Sequence, residues 1–215
     1  MRLFRRSRGL PRLSGPVKLH IGCGENIYEG WVNIDLEPLR GVDYALDVRR
    51  GLPFENASVI YAEHFLEHLS LDEGGLFLKE CRRVLAPDGL LRVSTPNLDW
   101  VYLTHYRHGQ WPEESDAQMD CMRMNRAFHG WGHQFLYNRP LLTSVLAAAG
   151  FREVRFQRYG ESERPELRGL EKHETWEDRP DLPHVLIAEA SGRSAEDRPL
   201  SPELLQEYRQ AVPAR

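Results

Sequence analysis

Short apolar runs alternate with amphipathic stretches through the first half of the chain. Val17–Ile21 is an apolar, β-branched run closed by Gly22, which predicts a buried strand. Trp31–Leu36 predicts a second strand, Tyr44–Val48 a weaker third and Val59–Ala62 a fourth. EHFLEHLSLDEGGLFLKECRRVL follows, with Leu76, Leu78, Cys81, Val84 and Leu85 recurring near helical spacing until Pro87, Asp88 and Gly89 break it. Leu90–Ser94 predicts a fifth strand, ended by Pro96. Strands alternating with helices predict an α/β fold, a mostly parallel sheet with helices on both faces.

The second half is organised differently. Asp99–Tyr137 is aromatic-rich and reads as a cap insert over the sheet. NRPLLTSVLAAAG predicts a well-punctuated helix, with Asn138 as N-cap, Pro140 in the first turn and Gly150 just past the end. Phe151–Tyr159 alternates apolar and polar positions, and His184–Ala190 is a last strand. Gly160–Pro183, between them, is a polar insert too long for a hairpin turn; it reads equally as a solvated excursion or as a lid bringing Arg168, Glu171 and His173 over a pocket. Residues 191–215 read as a polar tail with a short helix at Pro202–Gln210, and no internal repeat is visible.

Charge and cysteine usage narrow the function. Residues 1–12 hold five arginines and no acid; the rest of the chain then carries 23 basic against 32 acidic side chains. An acidic body argues against nucleic acid as a partner. The basic arm, residues 1–16, reads first as a solvated extension and second as a contact with an anionic membrane surface. No run reaches the ~18 apolar residues of a membrane span, and the arm has no apolar core of a signal peptide. Cys23, Cys81 and Cys121 are scattered and give neither a disulfide framework nor zinc spacing, which predicts a cytoplasmic protein.

The stretch HIGCGENIYEGWVNID decides the cofactor class. Gly22 and Gly24 follow the first strand and give a ligand access to backbone. A dinucleotide loop needs a third glycine where Ile27 stands, and an acid ~20 residues on, whereas Asp35 comes early. The pattern fits a cofactor with a ribose and no phosphate, Asp35 accepting from two vicinal hydroxyls.

HIGCG, NIDLEP, LDVRRGLPFENAS, YAEHFLEHL and KECRRVLAPDGLLRVSTPN, in that order, resemble the class I S-adenosylmethionine-dependent methyltransferases, and within them the bacterial methyltransferase type 11 kind. The resemblance runs over residues 17–97 and resumes at GHQFLYNRPLLTSVLAAAGF. It implies a Rossmann-like domain over 17–190, with the last strand antiparallel, and S-adenosyl-L-methionine as cofactor. By this resemblance Gly22, Cys23 and Gly24 line the methionine part, Asp35 holds the ribose, and Leu36 packs on the adenine. Asp47, ending the third strand, bonds the adenine amino group with Val48 beside it; Glu63 and His64 face the sulfonium and the acceptor. The chain departs from the pattern in two short crossovers, residues 25–30 and 36–44, and in ENASVIYAEHF, which lacks the aspartate that usually opens the fourth strand after the serine.

Transfer to oxygen calls for a base, and histidine is the default. His64 is the first choice, four positions from His68 on what reads as one helix. His129 and His133 in FHGWGHQF are the next candidates; Gly130 and Gly132 make that stretch a loop, so it reads as substrate-facing rather than as a metal site. The function expected is O-methylation of a small polar acceptor such as a sugar or glycan precursor. A non-catalytic cofactor-binding module is the alternative, and a nicotinamide oxidoreductase and a nucleic-acid methylase fit less well.

Overall fold

The computed structural model describes residues 16–173 and 181–211. Most of the basic arm, and with it the membrane-surface reading, lies outside those residues. The strands are β1 (Val17–Ile21), β2 (Val32–Asp35), β3 (Tyr44–Ala45), β4 (Ala57–Glu63), β5 (Leu85–Pro96), β6 (Phe151–Gln157) and β7 (Val185–Arg193). They form one sheet in the order β3-β2-β1-β4-β5-β7-β6. Strands β1 to β5 pair in parallel, and β7 runs antiparallel to both β5 and β6.

The helices are α1 (Leu71–Val84), α2 (Leu98–His105), α3 (Glu114–His129), α4 (Arg139–Ala148) and α5 (Pro202–Ala211). Helix α4 begins and ends where its caps predict: Asn138 accepts from the Leu141 amide, and Gly150 takes a positive φ of 95°. Helix α1 begins later than the periodicity predicts. Ser70 caps it and Glu73 bonds back to Ser70, a reciprocal pair satisfying two amides. Before it, Glu63 ends β4, His64 turns the chain at φ 47°, and Leu66–His68 make a single 3-10 turn. His64 and His68 therefore do not share a helix face.

Residues of β4 alternate between two cores. Ile60 and Ala62 join the main one with Phe77, Leu78, Cys81 and Val84 of α1 and Leu142, Val145 and Leu146 of α4. Val59 and Tyr61 face the other side, where Trp31, Tyr28, Leu167 and Leu170 cover them. The two short crossovers make only turns within residues 22–31 and 36–43, as their length implies. Loop aromatics and the insert fill the space on this second face instead. His20 stacks on Tyr28 with centroids 4.6 Å apart, and the Tyr28 hydroxyl donates to the Leu170 carbonyl.

Residues 160–173 of the insert are therefore docked, not a solvated excursion. Leu167 has no exposed surface and Glu171 is buried. Beneath it Arg92 of β5, also without exposed surface, donates from Nε to Glu171 at 2.7 Å and from Nη1 to Glu189 at 2.6 Å. At the other end of the described chain α5 packs Tyr208 against Phe135, with ring centroids 5.5 Å apart.

Candidate functional site

The carboxyl ends of β1, β2 and β4 open onto a common crevice, the usual ligand position in a parallel sheet. Gly22 follows β1 at φ 65°; a Cβ there would stand 2.6 Å from the Phe65 ring. Gly24, at φ 52°, would point a Cβ into open space. Its amide donates to Asp35 Oδ2 at 2.8 Å, and the Glu37 amide donates to Oδ1 at 3.0 Å. Asp35 is thus fixed at the end of β2 by two amides, with lone pairs left over.

A cavity of about 240 Å³ lies beside this loop, walled by Gly22, Cys23, Glu63, His64, Lys172 and His173. A wider cleft of about 780 Å³ runs along Leu36, Leu46, Asp47, Gly51 and Pro53. Asp35 precedes Leu36 of the cleft and is bonded to Gly24, the residue after Cys23 of the cavity wall. Leu36, 60 % exposed, lies on the wall of this cleft. Cys23 is buried, and burial together with the Asp35 charge pushes its thiol up to about 11. It is a small wall residue without thiolate character.

Two residues assigned to the adenine side differ from expectation. Asp47 does not end a strand; it caps the 3-10 turn Val48–Arg50. Arg49 donates to it from Nε at 2.8 Å and from Nη2 at 3.0 Å, which holds its carboxyl below the usual range. Val48 is 6 % exposed and packs into the main core, so its side chain does not line the cleft.

Glu63 is engaged by the insert. Its Oε1 accepts from the Lys172 amide at 2.8 Å, the His173 amide at 3.0 Å and His173 Nδ1 at 2.7 Å. Burial pushes its carboxyl up, but these bonds outweigh burial and bring it down to about 2. His173 does reach over the cavity. Glu171 lies underneath against Arg92, and Arg168 turns back to the Ser162 carbonyl at 2.8 Å.

His64 Nδ1 donates to Glu67 Oε1 at 2.9 Å, and its Nε2 is buried without a protein partner. Burial pulls this imidazole down, but the bond and charge of Glu67, with the charge of Glu63, outweigh it and leave the ring raised. The His64 ring stands 4.9 Å from that of His173. His133 comes close to His68, centroids 5.2 Å apart, whereas His129 is exposed on α3 beside Phe128 and lines neither cavity nor cleft. In the cap, Asp120 is the anchor: Arg107, Trp111 and Arg123 all donate to it. Glu67 went unassigned in the sequence, although its place three residues after His64 was visible.

Residues 35–93 match the family model described as a methyltransferase domain. The fold is that of the class I S-adenosylmethionine-dependent methyltransferases. Solved structures bear this out at low identity. A possible exported protein from Bordetella parapertussis is 15% identical, with TM-score 0.53, over 83% of this chain and 63% of that one. The chain thus spans under two thirds of that protein's length. A possible histamine N-methyltransferase from Thermotoga maritima is 15% identical, with TM-score 0.51, over 85% of this chain and 84% of that one. The DhpI–SAH complex is 13% identical, with TM-score 0.51, over 84% of this chain and 78% of that one. No curated protein matches the sequence. Among the described residues, no helix of this methyltransferase fold is long and apolar enough to cross a membrane.

Proposed function

We propose that the chain, over residues 17–190, is an S-adenosylmethionine-dependent methyltransferase acting on an oxygen of a small polar acceptor, such as a sugar or glycan precursor. The observation that carries this reading is the carboxylate of Asp35 at the end of β2, fixed by the amides of Gly24 and Glu37 and followed by Leu36, an exposed leucine on the cleft wall. The residues fit the cofactor. A Cβ at Gly24 would fill the space the loop leaves open. Asp35 can accept from vicinal ribose hydroxyls, Leu36 offers an apolar face to an adenine, and Gly22 and Cys23 wall the cavity that suits the amino-acid end. When bound, the cofactor supplies a methyl group already activated on a sulfonium, so the protein's part is placement and proton handling.

His64 fits the proton-handling role. Glu67 holds its Nδ1–H, which fixes the tautomer and leaves the Nε2 lone pair for a proton from the acceptor hydroxyl. Trp131, 71 % exposed and 5.7 Å from the His133 ring, offers a stacking face for an acceptor ring. Cys23, Cys81 and Cys121 are all free, which agrees with a reducing, cytoplasmic setting.

Isothermal titration with S-adenosylmethionine and S-adenosylhomocysteine tests the reading. Saturable one-to-one binding is expected, weakened about 10- to 100-fold in Asp35→Ala, since a hydrogen bond to a charged group contributes about 1.5–3 kcal/mol. Undiminished binding in that variant, or none in the wild type, overturns the assignment. After an acceptor is found, His64→Ala should lose turnover and keep cofactor binding.

A further inference from the structure

The fold brings together three metal-ligating side chains that the spacing along the chain gave no reason to group. Glu67 and His68 sit in the 3-10 turn after β4, and His133 follows the Gly130–Gly132 turn of the cap. One ligand atom from each lies within 4.8 Å of the other two.

The hydrogen-bond pattern points to a cation. Glu67 has no exposed surface; its Oε1 takes the His64 N–H, and its Oε2 is buried with no donor. A buried carboxylate oxygen without a partner is uncommon, because its desolvation goes uncompensated. Neither neighbouring imidazole donates to it. His133 instead donates from Nδ1 to the Ala127 carbonyl at 2.9 Å, so its Nε2 keeps a lone pair. An imidazole tied to a backbone carbonyl at one nitrogen and free at the other is the usual state of a metal-binding histidine. A plain hydrogen-bonded cluster would leave the opposite pattern, with a ring N–H on Oε2.

We propose that Glu67, His68 and His133 bind a divalent transition-metal ion of borderline softness, of the zinc or cobalt(II) kind. Two imidazoles and a carboxylate are the donors such ions take. Tetrahedral bonds of about 2.1 Å set ligand atoms roughly 3.4 Å apart, so the three draw together as the ion enters. Three protein ligands leave a coordination position open, as catalytic sites do and structural ones do not. Neither histidine is buried, and His133 adjoins the exposed Trp131, so an outside oxygen can reach that position. On the methyltransferase reading, on which this one clause rests, that oxygen is the acceptor's, held next to His64. The expected absence of a metal site then gives way to one built by tertiary contact, and His129 plays no part in it.

The test uses the full chain without an affinity tag, stripped with chelator and titrated with zinc chloride by calorimetry and with cobalt(II) chloride by visible absorption. One-to-one binding is expected, with cobalt d–d bands of a low-coordinate site. His68→Ala, His133→Ala and Glu67→Gln should each weaken it at least tenfold, and His129→Ala should leave it unchanged. Circular dichroism and S-adenosylmethionine binding report whether each variant is folded. The proposal is overturned if the wild type binds no stoichiometric metal, if the two histidine variants bind as the wild type does, or if His129→Ala weakens binding as much as they do. Metal binding is read without cofactor or acceptor. Failure here with intact cofactor binding therefore removes only the metal site, and metal binding without cofactor binding removes only the methyltransferase reading.

Discussion

Replacing Arg92 by methionine tests what holds the insert to the sheet. Arg92 is fully enclosed and makes three bonds: Nε to Glu171 at 2.7 Å, Nη1 to Glu189 at 2.6 Å, and Nη1 to the Glu161 carbonyl at 2.9 Å. Glu189 has two further donors, the Ser162 hydroxyl at 2.6 Å and Gln157 Nε2 at 2.8 Å, and Glu171 has the Gly160 amide at 3.1 Å. Those neutral donors survive the substitution, but the guanidinium shared by the two carboxylates does not. Methionine keeps much of the apolar volume, so the loss is electrostatic. Removing one partner of a buried ion pair costs about 3–5 kcal/mol, a third or more of the stability of an ordinary domain. Glu171→Gln leaves the Arg92–Glu189 pair neutral and keeps an acceptor, and should cost about 1 kcal/mol. Urea unfolding at neutral pH reads both. With a slope near 2 kcal/mol per molar, Arg92→Met should lower the midpoint by about 2 M. Amide exchange over residues 160–173 should quicken in the same variant. The reasoning fails if Arg92→Met stays within about 1 kcal/mol of the wild type, or if Glu171→Gln proves the more damaging change.

Other substitutions separate packing from binding. Gly22→Ala meets Phe65 at 2.6 Å with φ at 65° and should lose about 2–4 kcal/mol in urea unfolding. Gly24→Ala meets nothing and should lose only about 1 kcal/mol, yet weaken S-adenosylmethionine binding severalfold in a titration; equal stability losses would contradict the contrast. The Glu63 carboxyl lies at about 2 in the folded protein against 4.5 ordinarily. A lowered acid contributes stability above its unfolded value and loses it as pH falls toward the folded one, here up to about 3 kcal/mol between pH ~4.5 and ~2. Wild type and Glu63→Gln should therefore converge in urea midpoint as the pH drops across that range, and a gap independent of pH would count against the clamp.

What the sequence revealed depended on how local the causes were. Strand β1 was readable at both ends because an apolar run stops at Gly22, and α4 because Asn138, Pro140 and Gly150 punctuate it. The start of α1 was misread because Phe65, Leu66 and Leu69 continue the apolar pattern through a turn; the Ser70–Glu73 box was the local signal that overrules it. The site divides in the same way. Gly24 and Asp35 are bound across a short loop, and each stands out singly in the sequence at the end of an apolar run, though their bond to each other does not. Glu63 and His173 meet across 110 residues, and no periodicity reports that. The insert reads either way because composition does not distinguish a glutamate in water from one, like Glu171, held in the interior by an arginine.

The second face of the sheet has a consequence for how the chain is assembled. Tyr28, Trp31 and Tyr61 are synthesised early, whereas their cover, Leu167 and Leu170, comes from a segment made much later; the Tyr28 and Leu170 bond alone spans 142 residues. Until that segment emerges, the growing chain presents a bare aromatic patch. Contacts so distant in sequence slow folding, and such patches favour association with other chains or a chaperone. The segment that closes the patch also carries Lys172 and His173 to the cavity wall, so the crevice acquires its final shape only when the aromatic face has been covered.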